Sequence, residues 1–199
     1  DRLEDVVVRV VGENGLEGYG EAPPTAVITG DTKGSILSAI NEFIAPAILG
    51  ADVLALDEVM ERMDRSIKGN TSAKAAVDMA LYDLWGKILG KPLYQLLGGY
   101  RREIETDITI SVGPVAQMVA DSLAALDEGY RILKIKVGKE GMADLPRIAA
   151  IREAVGPDIR LRVDANQGWN VPDSIRIISA MEDKGLCIDL VEQPVEAHD

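Results

Sequence analysis

The segment ILKIKV at residues 132–137 has the alternating pattern of a β-strand, with aliphatic side chains at every second position and lysines between them. Successive side chains of a strand point to opposite faces, so Lys134 and Lys136 share one face and the aliphatic residues share the other. Strands buried in a parallel sheet are normally aliphatic on both faces. The pattern therefore predicts a sheet that packs one face on helices and carries charged groups on the other.

Further strand patterns flank this segment, and helical patterns separate them. The predicted strands are 105–112, 160–165 and 189–193, and the predicted helices are about 115–128, 143–155 and 173–184. Strands that alternate with helices indicate parallel strands joined by right-handed crossovers. The series agrees with half of an eight-stranded barrel and with a doubly wound sheet. No Gly-x-Gly-x-x-Gly turn follows a strand, which argues against a dinucleotide-binding form.

The residues before about 103 have a different pattern of predicted strands and helices. Two short strands at 6–11 and 16–21 enclose a Gly-Glu-Asn-Gly turn, which predicts a hairpin. Helical patterns follow at about 33–48, 55–67, 72–89 and 93–97. Ser72 is expected to cap the third of these helices. We therefore predict an α/β protein with an α+β domain over residues 1–102 and a series of βα units over residues 103–199.

Charged residues stand near the carboxyl ends of three predicted strands, namely Lys136, Asp164 and Glu192. In α/β barrels this end carries the active site. Two carboxylates on neighbouring strands suit a hard divalent cation such as magnesium or manganese. A lysine close to other cations loses its proton more easily and can serve as a base. The alternative interpretation is a structural salt-bridge network among the same three residues.

Composition narrows the possible partners. The chain has 33 acidic and 21 basic side chains and a formal charge of −12, so neither nucleic acid nor an anionic membrane surface is an expected partner. The single cysteine, Cys187, precludes an internal disulfide and agrees with a reducing cytoplasm. Its apolar neighbours predict that it is a small buried side chain. No apolar run has the length of a membrane span.

Four motifs, in this order and spacing, resemble the mandelate racemase and muconate lactonizing branch of the enolase superfamily. They are AVDMALYDLWGK at 76–87, KIK at 134–136, DANQGW at 164–169 and VEQP at 191–194. The resemblance covers the whole chain. It implies an enolase-like α+β capping domain followed by the first half of a modified, TIM-like (β/α) barrel, and it implies that the protein continues beyond both ends of this chain.

Other segments are similar to dipeptide epimerases of the L-Ala-D/L-Glu type within that branch. They are GEAPPT at 20–25, ITGD at 28–31, GNTSAKAA at 69–76 and TDITISV at 106–112. This similarity implies a magnesium-dependent isomerase, with manganese as a second possible metal, that epimerises small dipeptides such as L-Ala-D-Glu from peptidoglycan. The implied chemistry is α-proton abstraction by a lysine with an enediolate intermediate, and the full-length protein is expected to be a homo-oligomer.

The resemblance also implies a role for each motif residue. Lys136 corresponds to the lysine that removes or returns the α-proton. Lys134 corresponds to its neighbour, which contacts the substrate carboxylate and lowers the pKa of the catalytic lysine. Asp164 and Glu192 correspond to two of three magnesium ligands. Thr109 corresponds to a substrate-contacting residue at the end of the first barrel strand.

Asn166 and Gln167 follow Asp164, and we expect them to support that carboxylate rather than to contact the substrate. The third metal carboxylate and the second catalytic lysine of the family are expected beyond Asp199. Two alternatives stay open. One is a muconate cycloisomerase or o-succinylbenzoate synthase, which shares the lysine and metal arrangement. The other is a catalytically incomplete fragment, because epimerisation needs a base on each face of the α-carbon.

Overall fold

The computed structural model describes residues 4–199, which form two compact units, one ending at Arg102 and the other beginning at Glu103. Residues 1–3 of the predicted first domain lie outside the described part of the chain. Each unit has its own cluster of buried hydrophobic side chains. No helix within residues 4–199 combines the length and the apolar character that crossing a membrane requires.

The first unit consists of an antiparallel hairpin followed by helices. Its elements are β1 (Val6–Val11), β2 (Glu17–Ala22), α1 (Lys33–Ser38), a π-helical segment (Ala39–Ile44), α2 (Ala45–Ile48), α3 (Leu56–Ser66), α4 (Thr71–Ile88) and α5 (Leu93–Leu96). The long helix α4 packs on β2 through small side chains such as Ala76 and Ala80, which are fully buried. The predicted hairpin and helices are therefore present, with shifted ends.

Helix α4 approaches β2 at backbone distance, which the glycines of β2 permit. A Cβ atom at Gly20 would lie 2.0 Å from the carbonyl oxygen of Ala76, and one at Gly18 would lie 2.0 Å from that of Ala80. Real Cβ atoms do not come so close to an oxygen, so any side chain at either position requires the helix to move away from the strand. The alternating glycines of GYGEA thus set the spacing between helix and hairpin.

Replacing Gly20 with alanine should destabilise the intact protein by at least the upper part of the range of about 1–3 kcal/mol that overpacking typically costs. The measurement is urea unfolding followed by circular dichroism. The matched control is Gly34→Ala in the first turn of α1, where a Cβ would meet nothing closer than 3.9 Å. That change should be neutral or stabilise by about 0.5–1 kcal/mol. Equal stabilities of the two variants would contradict the packing described here.

Two helix predictions for this unit need correction. The expected cap Ser72 lies inside α4, and the N-cap is Asn70, which has a left-handed backbone (φ 50°) and no capping side-chain hydrogen bond. The predicted helix over 33–48 is not uniform, because its middle is π-helical and the amide of Ala45 bonds to the carbonyl of Ile40. Pro46 has no N–H to continue the α-helical ladder, which explains the change of register at this point.

The second unit is a parallel four-stranded sheet whose strand order follows the chain, β3-β4-β5-β6. Its elements are β3 (Ile108–Ile110), α6 (Val115–Asp127), β4 (Ile132–Lys136), a 3₁₀ turn (Gly141–Ala143), α7 (Asp144–Val155), β5 (Arg160–Asp164), α8 (Val171–Asp183) and β6 (Ile188–Glu192). A doubly wound sheet reverses its strand order at a switch point. No reversal occurs among the described strands, so the predicted α/β class with a parallel sheet is confirmed, and the strand order agrees with half of a barrel.

The two faces of this sheet differ as the strand pattern predicts. Leu133, Ile135, Leu161 and Val163 are fully buried and form one cluster with residues of the helices. The polar residues between them lie on the opposite face and are partly exposed. Burying an aliphatic side chain contributes about 1.5–3 kcal/mol, so this alternation fixes which face meets the helices.

Two local predictions for this unit are also wrong. The first strand pairs with β4 only over Ile108–Ile110, which is shorter than the predicted 105–112. Cys187 is exposed rather than buried. Its backbone is left-handed (φ 48°) directly after Gly185-Leu186, and Leu186 is the side chain that enters the core. Ile188 on the other side of Cys187 also packs against the core, so the thiol between these two inward side chains points outward.

Candidate active site

Three neighbouring strands end at charged residues in one row. Lys136 is the last residue of β4, Asp164 of β5 and Glu192 of β6. In the strand register Lys136 lies opposite Asp164, and Asp164 lies opposite Glu192. Because the strands are parallel, the three residues stand at the same edge of the sheet. That edge is the carboxyl end, where α/β barrels bind their substrates.

The side chains of this row meet, together with Lys134 from the middle of β4. The Lys136 Nζ lies 2.7 Å from Asp164 Oδ2, and the Lys134 Nζ lies 3.0 Å from the same oxygen. The Lys134 Nζ also lies 2.7 Å from Glu192 Oε2. We call these four residues the charged cluster. The predicted proximity is therefore observed, and it agrees both with a catalytic site and with the salt-bridge alternative.

Burial differs between the two carboxylates. Asp164 is 1% exposed, whereas the side chain of Glu192 is 40% exposed. Burial tends to raise the pKa of Asp164, but hydrogen bonds from Lys136, from the backbone amide of Asn166 and from Lys134 outweigh it, so the pKa lies below its usual value. Asp164 is therefore an anion at neutral pH.

Lys134 is held as a cation. A hydrogen bond to Glu192 raises its pKa, burial opposes this effect, and the contact with Asp164 adds to the increase. A lysine between two carboxylates keeps its proton because each of them favours the charged form. Lys134 is thus suited to neutralise negative charge and is poorly suited to accept a proton.

Asn166 forms hydrogen bonds with two members of the charged cluster, Asp164 and Lys136. Its backbone amide donates to Asp164 Oδ1 at 2.9 Å, and its side-chain Oδ1 accepts from the Lys136 Nζ at 2.8 Å. The residue has a left-handed backbone (φ 46°), a conformation that asparagine adopts more readily than most residues. The geometry agrees with a supporting role, and it also places Asn166 on the ammonium group of Lys136.

Gln167 forms its hydrogen bonds with the segment after β6 rather than with the charged cluster. Its backbone amide donates to the carbonyl of Gln193 at 2.8 Å, and its side-chain Oε1 accepts from the amide of Ala197 at 2.8 Å. These bonds tie the loop after β5 to the segment after β6. Gln167 therefore supports the site by fixing its backbone, and its side chain has no hydrogen bond to Asp164 within the described residues.

Thr109 lies in the middle of β3, opposite Lys134 in the strand register. Its side chain is exposed, while the following residue, Ile110, is buried. Residues opposite each other on neighbouring strands share a face of the sheet, so Thr109 is on the same face as Lys134. This position agrees with the predicted substrate contact, which stays a prediction.

An ion pair that was not predicted from the sequence lies beside the cluster in the strand register. Arg162 Nη1 lies 2.9 Å from Asp107 Oδ2, and Arg162 is opposite Lys134 in the register of β4 and β5. The sequence alone could have indicated Arg162, because this residue occupies the polar face of β5 two positions before Asp164. The partner was hidden, because Asp107 precedes β3 and no periodicity indicates where its side chain points.

The donor set fits a hard divalent cation in part. Asp164 and Glu192 offer carboxylate oxygens, which magnesium prefers, and both oxygens already contact one cation, the Lys134 ammonium group. Within residues 4–199 there is no group of three or more acidic, histidine or cysteine side chains placed to hold a metal. Asp164 and Glu192 could therefore hold a magnesium ion as two of its ligands, and magnesium commonly completes its shell with water.

An α+β unit that precedes parallel βα units with charged strand ends is the arrangement of enolase-type proteins. Residues 2–98 match the family described as mandelate racemase / muconate lactonizing enzyme, N-terminal domain, and residues 117–199 match the one described as enolase C-terminal domain-like. The chain belongs to the mandelate racemase and muconate lactonizing enzyme family of the enolase superfamily.

The chain is similar to several epimerases. The L-Ala-D/L-Glu epimerase of Bacillus subtilis is 50% identical over 197 residues, which are 98% of this chain and 54% of that protein. Its substrate-liganded structure superposes with a TM-score of 0.95, at 49% identity over 98% of this chain and 55% of that chain. The chain thus spans about half the length of the curated relatives that it matches.

Two other solved structures are also similar. A dipeptide epimerase of Enterococcus faecalis in complex with Mg and L-Leu-L-Tyr gives a TM-score of 0.93 at 42% identity, over 99% of this chain and 55% of that chain. A muconate lactonizing enzyme of Klebsiella pneumoniae gives 0.88 at 35% identity, over 99% of this chain and 55% of that chain. The fold is therefore shared between dipeptide epimerases and enzymes with a different reaction.

Proposed function

We propose that this chain supplies the capping domain (residues 1–102) and the first half of the catalytic barrel (residues 103–199) of a magnesium-dependent dipeptide epimerase. The substrate class is a small dipeptide of the L-Ala-D/L-Glu type, such as one released from peptidoglycan. The charged cluster carries this proposal, and the similarity to L-Ala-D/L-Glu epimerases supports it. The intact protein is proposed to act as a cytoplasmic homo-oligomer.

Lys136 is proposed as the base that removes the proton from the α-carbon of the C-terminal residue of the dipeptide. Its Nζ lies 2.7 Å from Asp164 and 2.8 Å from Asn166, which gives this nitrogen a defined position at the strand end, and the neutral amine is the form that accepts the proton. When the Cα–H bond breaks, its electron pair moves into the substrate carboxylate, and the proton moves to the neutral Nζ. Return of a proton to the opposite face gives the epimer and requires a second base.

Lys134 is proposed to bind the substrate carboxylate. Proton removal places nearly two negative charges on that group, and a fixed cation stabilises such charge most strongly as it develops. Asp164 and Glu192 would hold a magnesium ion, or manganese in its place, and the ion would supply a second positive charge to stabilise the developing anion. In this proposal Thr109 contacts the substrate beside Lys134, while Asn166 and Gln167 keep the loop in position.

Deuterium exchange tests this function directly. The intact protein with magnesium, in deuterated buffer, is expected to exchange the α-proton of the glutamate residue in L-Ala-D-Glu and L-Ala-L-Glu and to interconvert the two. Proton magnetic resonance follows the loss of the α-proton signal, and chiral chromatography follows the epimer. Chelation of the metal should stop both. Failure to exchange any Xaa-Glu dipeptide with magnesium present would overturn the proposal.

A second candidate reaction is the cycloisomerisation of muconate, which the similarity to a muconate lactonizing enzyme favours. The same lysines and carboxylates would serve it, because that reaction also passes through a carboxylate-stabilised anion. The two candidates differ in the substrate amine, which only a dipeptide carries. Incubation of the intact protein with muconate, followed by its ultraviolet absorbance, distinguishes them, since turnover of muconate without dipeptide exchange favours the second candidate.

A further inference from the structure

We propose that Asp144 is a positioning residue that joins the loop after Lys136 to the loop after Asp164 and so holds the proposed base against its partners. Asp144 is the first residue of α7, and its side chain is completely buried. It contacts neither a substrate position nor the charged cluster directly. The catalytic consequence rests on the proposed function, whereas the joining of the two loops does not.

The carboxylate of Asp144 accepts hydrogen bonds from both loops through a single oxygen. Its Oδ2 accepts from the backbone amide of Gly138 at 2.8 Å and from the indole Nε1 of Trp169 at 3.0 Å. Gly138 comes two residues after Lys136, and Trp169 comes five residues after Asp164. One buried oxygen therefore connects the chain that leaves β4 with the chain that leaves β5.

The two loops also touch through their backbones, without side chains between them. A Cβ at Gly138, where φ is 96°, would lie 2.0 Å from the carbonyl oxygen of Ala165. A Cβ at Gly168 would lie 2.1 Å from the carbonyl oxygen of Gly138. Each loop thus packs on a carbonyl group of the other, so a displacement of one of them displaces the other.

This contact lies next to the proposed catalytic groups. Asn166 is between Ala165 and Gly168, and its Oδ1 accepts from the Lys136 Nζ at 2.8 Å. Its backbone, like that of Gln167, is left-handed (φ 46° and 64°), a conformation that a free loop of non-glycine residues seldom keeps. The bonds to Asp144 help to hold this loop in place, and through Asn166 they hold the position of the Lys136 nitrogen.

The charge of Asp144 is balanced on its other side. Its Oδ1 accepts from Arg147 Nη1 at 2.8 Å, and Arg147 also pairs with Glu140 at 2.7 Å. A buried carboxylate is costly unless it is paired and hydrogen-bonded, and replacing a buried ion pair with apolar residues often costs no stability. A charged group at this place is therefore best explained by the directed hydrogen bonds that it accepts from the two loops.

Three variants of the intact protein test this inference. Trp169→Phe keeps an aromatic ring and removes one donor, Asp144→Asn retains an oxygen for both loops while removing the charge opposite Arg147, and Asp144→Ala removes the whole group. The matched control is Trp85→Phe, because Trp85 lies in the first unit and packs on Tyr82. The measurements are hydrogen exchange by mass spectrometry, kcat and KM for dipeptide exchange, and the thermal midpoint.

For Trp169→Phe we expect amide exchange to rise about tenfold in residues 137–141 and also in 165–170, because one hydrogen bond is lost. We expect kcat to fall about tenfold, and about a hundredfold in Asp144→Ala, since small displacements of a catalytic group have effects of this size. KM should stay within about twofold, and Asp144→Asn should retain most of the parent kcat. Trp85→Phe should change neither exchange in these loops nor kcat.

Several results would overturn the inference. Exchange that rises in 165–170 alone in Trp169→Phe would show that Asp144 does not join the loops, as would exchange that is unchanged in both. A fall in kcat that accompanies faster exchange over the whole chain would show a general loss of stability instead of positioning. If the parent protein has no activity on dipeptides, the proposed function fails, and the exchange data alone then decide whether the two loops are joined.

Discussion

Replacing Lys136 with alanine should reduce α-proton exchange of an Xaa-Glu dipeptide by about a thousandfold or more in the intact protein. General-base catalysis contributes about 10²–10⁴-fold, and the charged cluster offers no substitute, because Lys134 is held as an ammonium ion between two carboxylates. Magnesium binding should be retained, since the substitution removes a positive charge from beside Asp164. The measurements are deuterium incorporation by magnetic resonance and magnesium titration by calorimetry.

The matched control for this prediction is Lys139→Ala. Lys139 is exposed, lies three residues further along the chain, and has no ion pair within the described residues. The Lys139→Ala variant should exchange the α-proton of the substrate at the parent rate. If Lys136→Ala kept more than about a tenth of the parent rate, its role as the base would be wrong and the salt-bridge interpretation of the cluster would gain support.

Replacing Asp164 with asparagine should weaken magnesium binding to the intact protein by about a hundredfold or more. Loss of a group that merely supports a ligand costs about 10–100-fold in metal affinity, so loss of a ligand should cost at least as much. Asp164 is also the carboxylate that both lysines contact. Glu192→Gln provides an independent test of the same site, because Glu192 is more exposed and contributes less to folding.

Asp189→Asn is the control for the metal prediction. It is the same substitution at the opposite end of β6, where Asp189 pairs with Arg160 at 2.6 Å, away from the charged cluster. Its magnesium affinity should stay within about twofold of the parent. Affinity of Asp164→Asn equal to that of the parent would show that the metal is bound elsewhere.

The architecture of the second unit was predictable because it follows from the alternation of side chains along each strand and from the parallel direction of the strands. Alternation of Lys134 and Lys136 with buried aliphatics decides which face of β4 meets the helices, and parallel strands bring their ends to one edge. The residues Lys136, Asp164 and Glu192 were therefore expected to lie together, and they do. The roles assigned to them by resemblance stay predictions.

Other features were not predictable, because they depend on contacts between residues distant in sequence. Asp144 looks like an ordinary acidic residue at the start of a helix, yet its partners Gly138 and Trp169 come from two different loops. Cys187 was predicted to be buried from its apolar neighbours, but Leu186 and Ile188 take the inward positions on either side of it. Ser72 was misplaced because Asn70 begins α4 without a side-chain cap.

The composition of the charged cluster has a consequence for the order in which ligands arrive. Two ammonium groups face two carboxylates, so the strand ends carry no net charge although the chain as a whole is acidic. These four side chains by themselves therefore give an incoming substrate anion little attraction. A divalent cation held by Asp164 and Glu192 would add two positive charges, and the site would stay positive even with Lys136 neutral. We expect obligatory ordered binding, with the metal first and the dipeptide second.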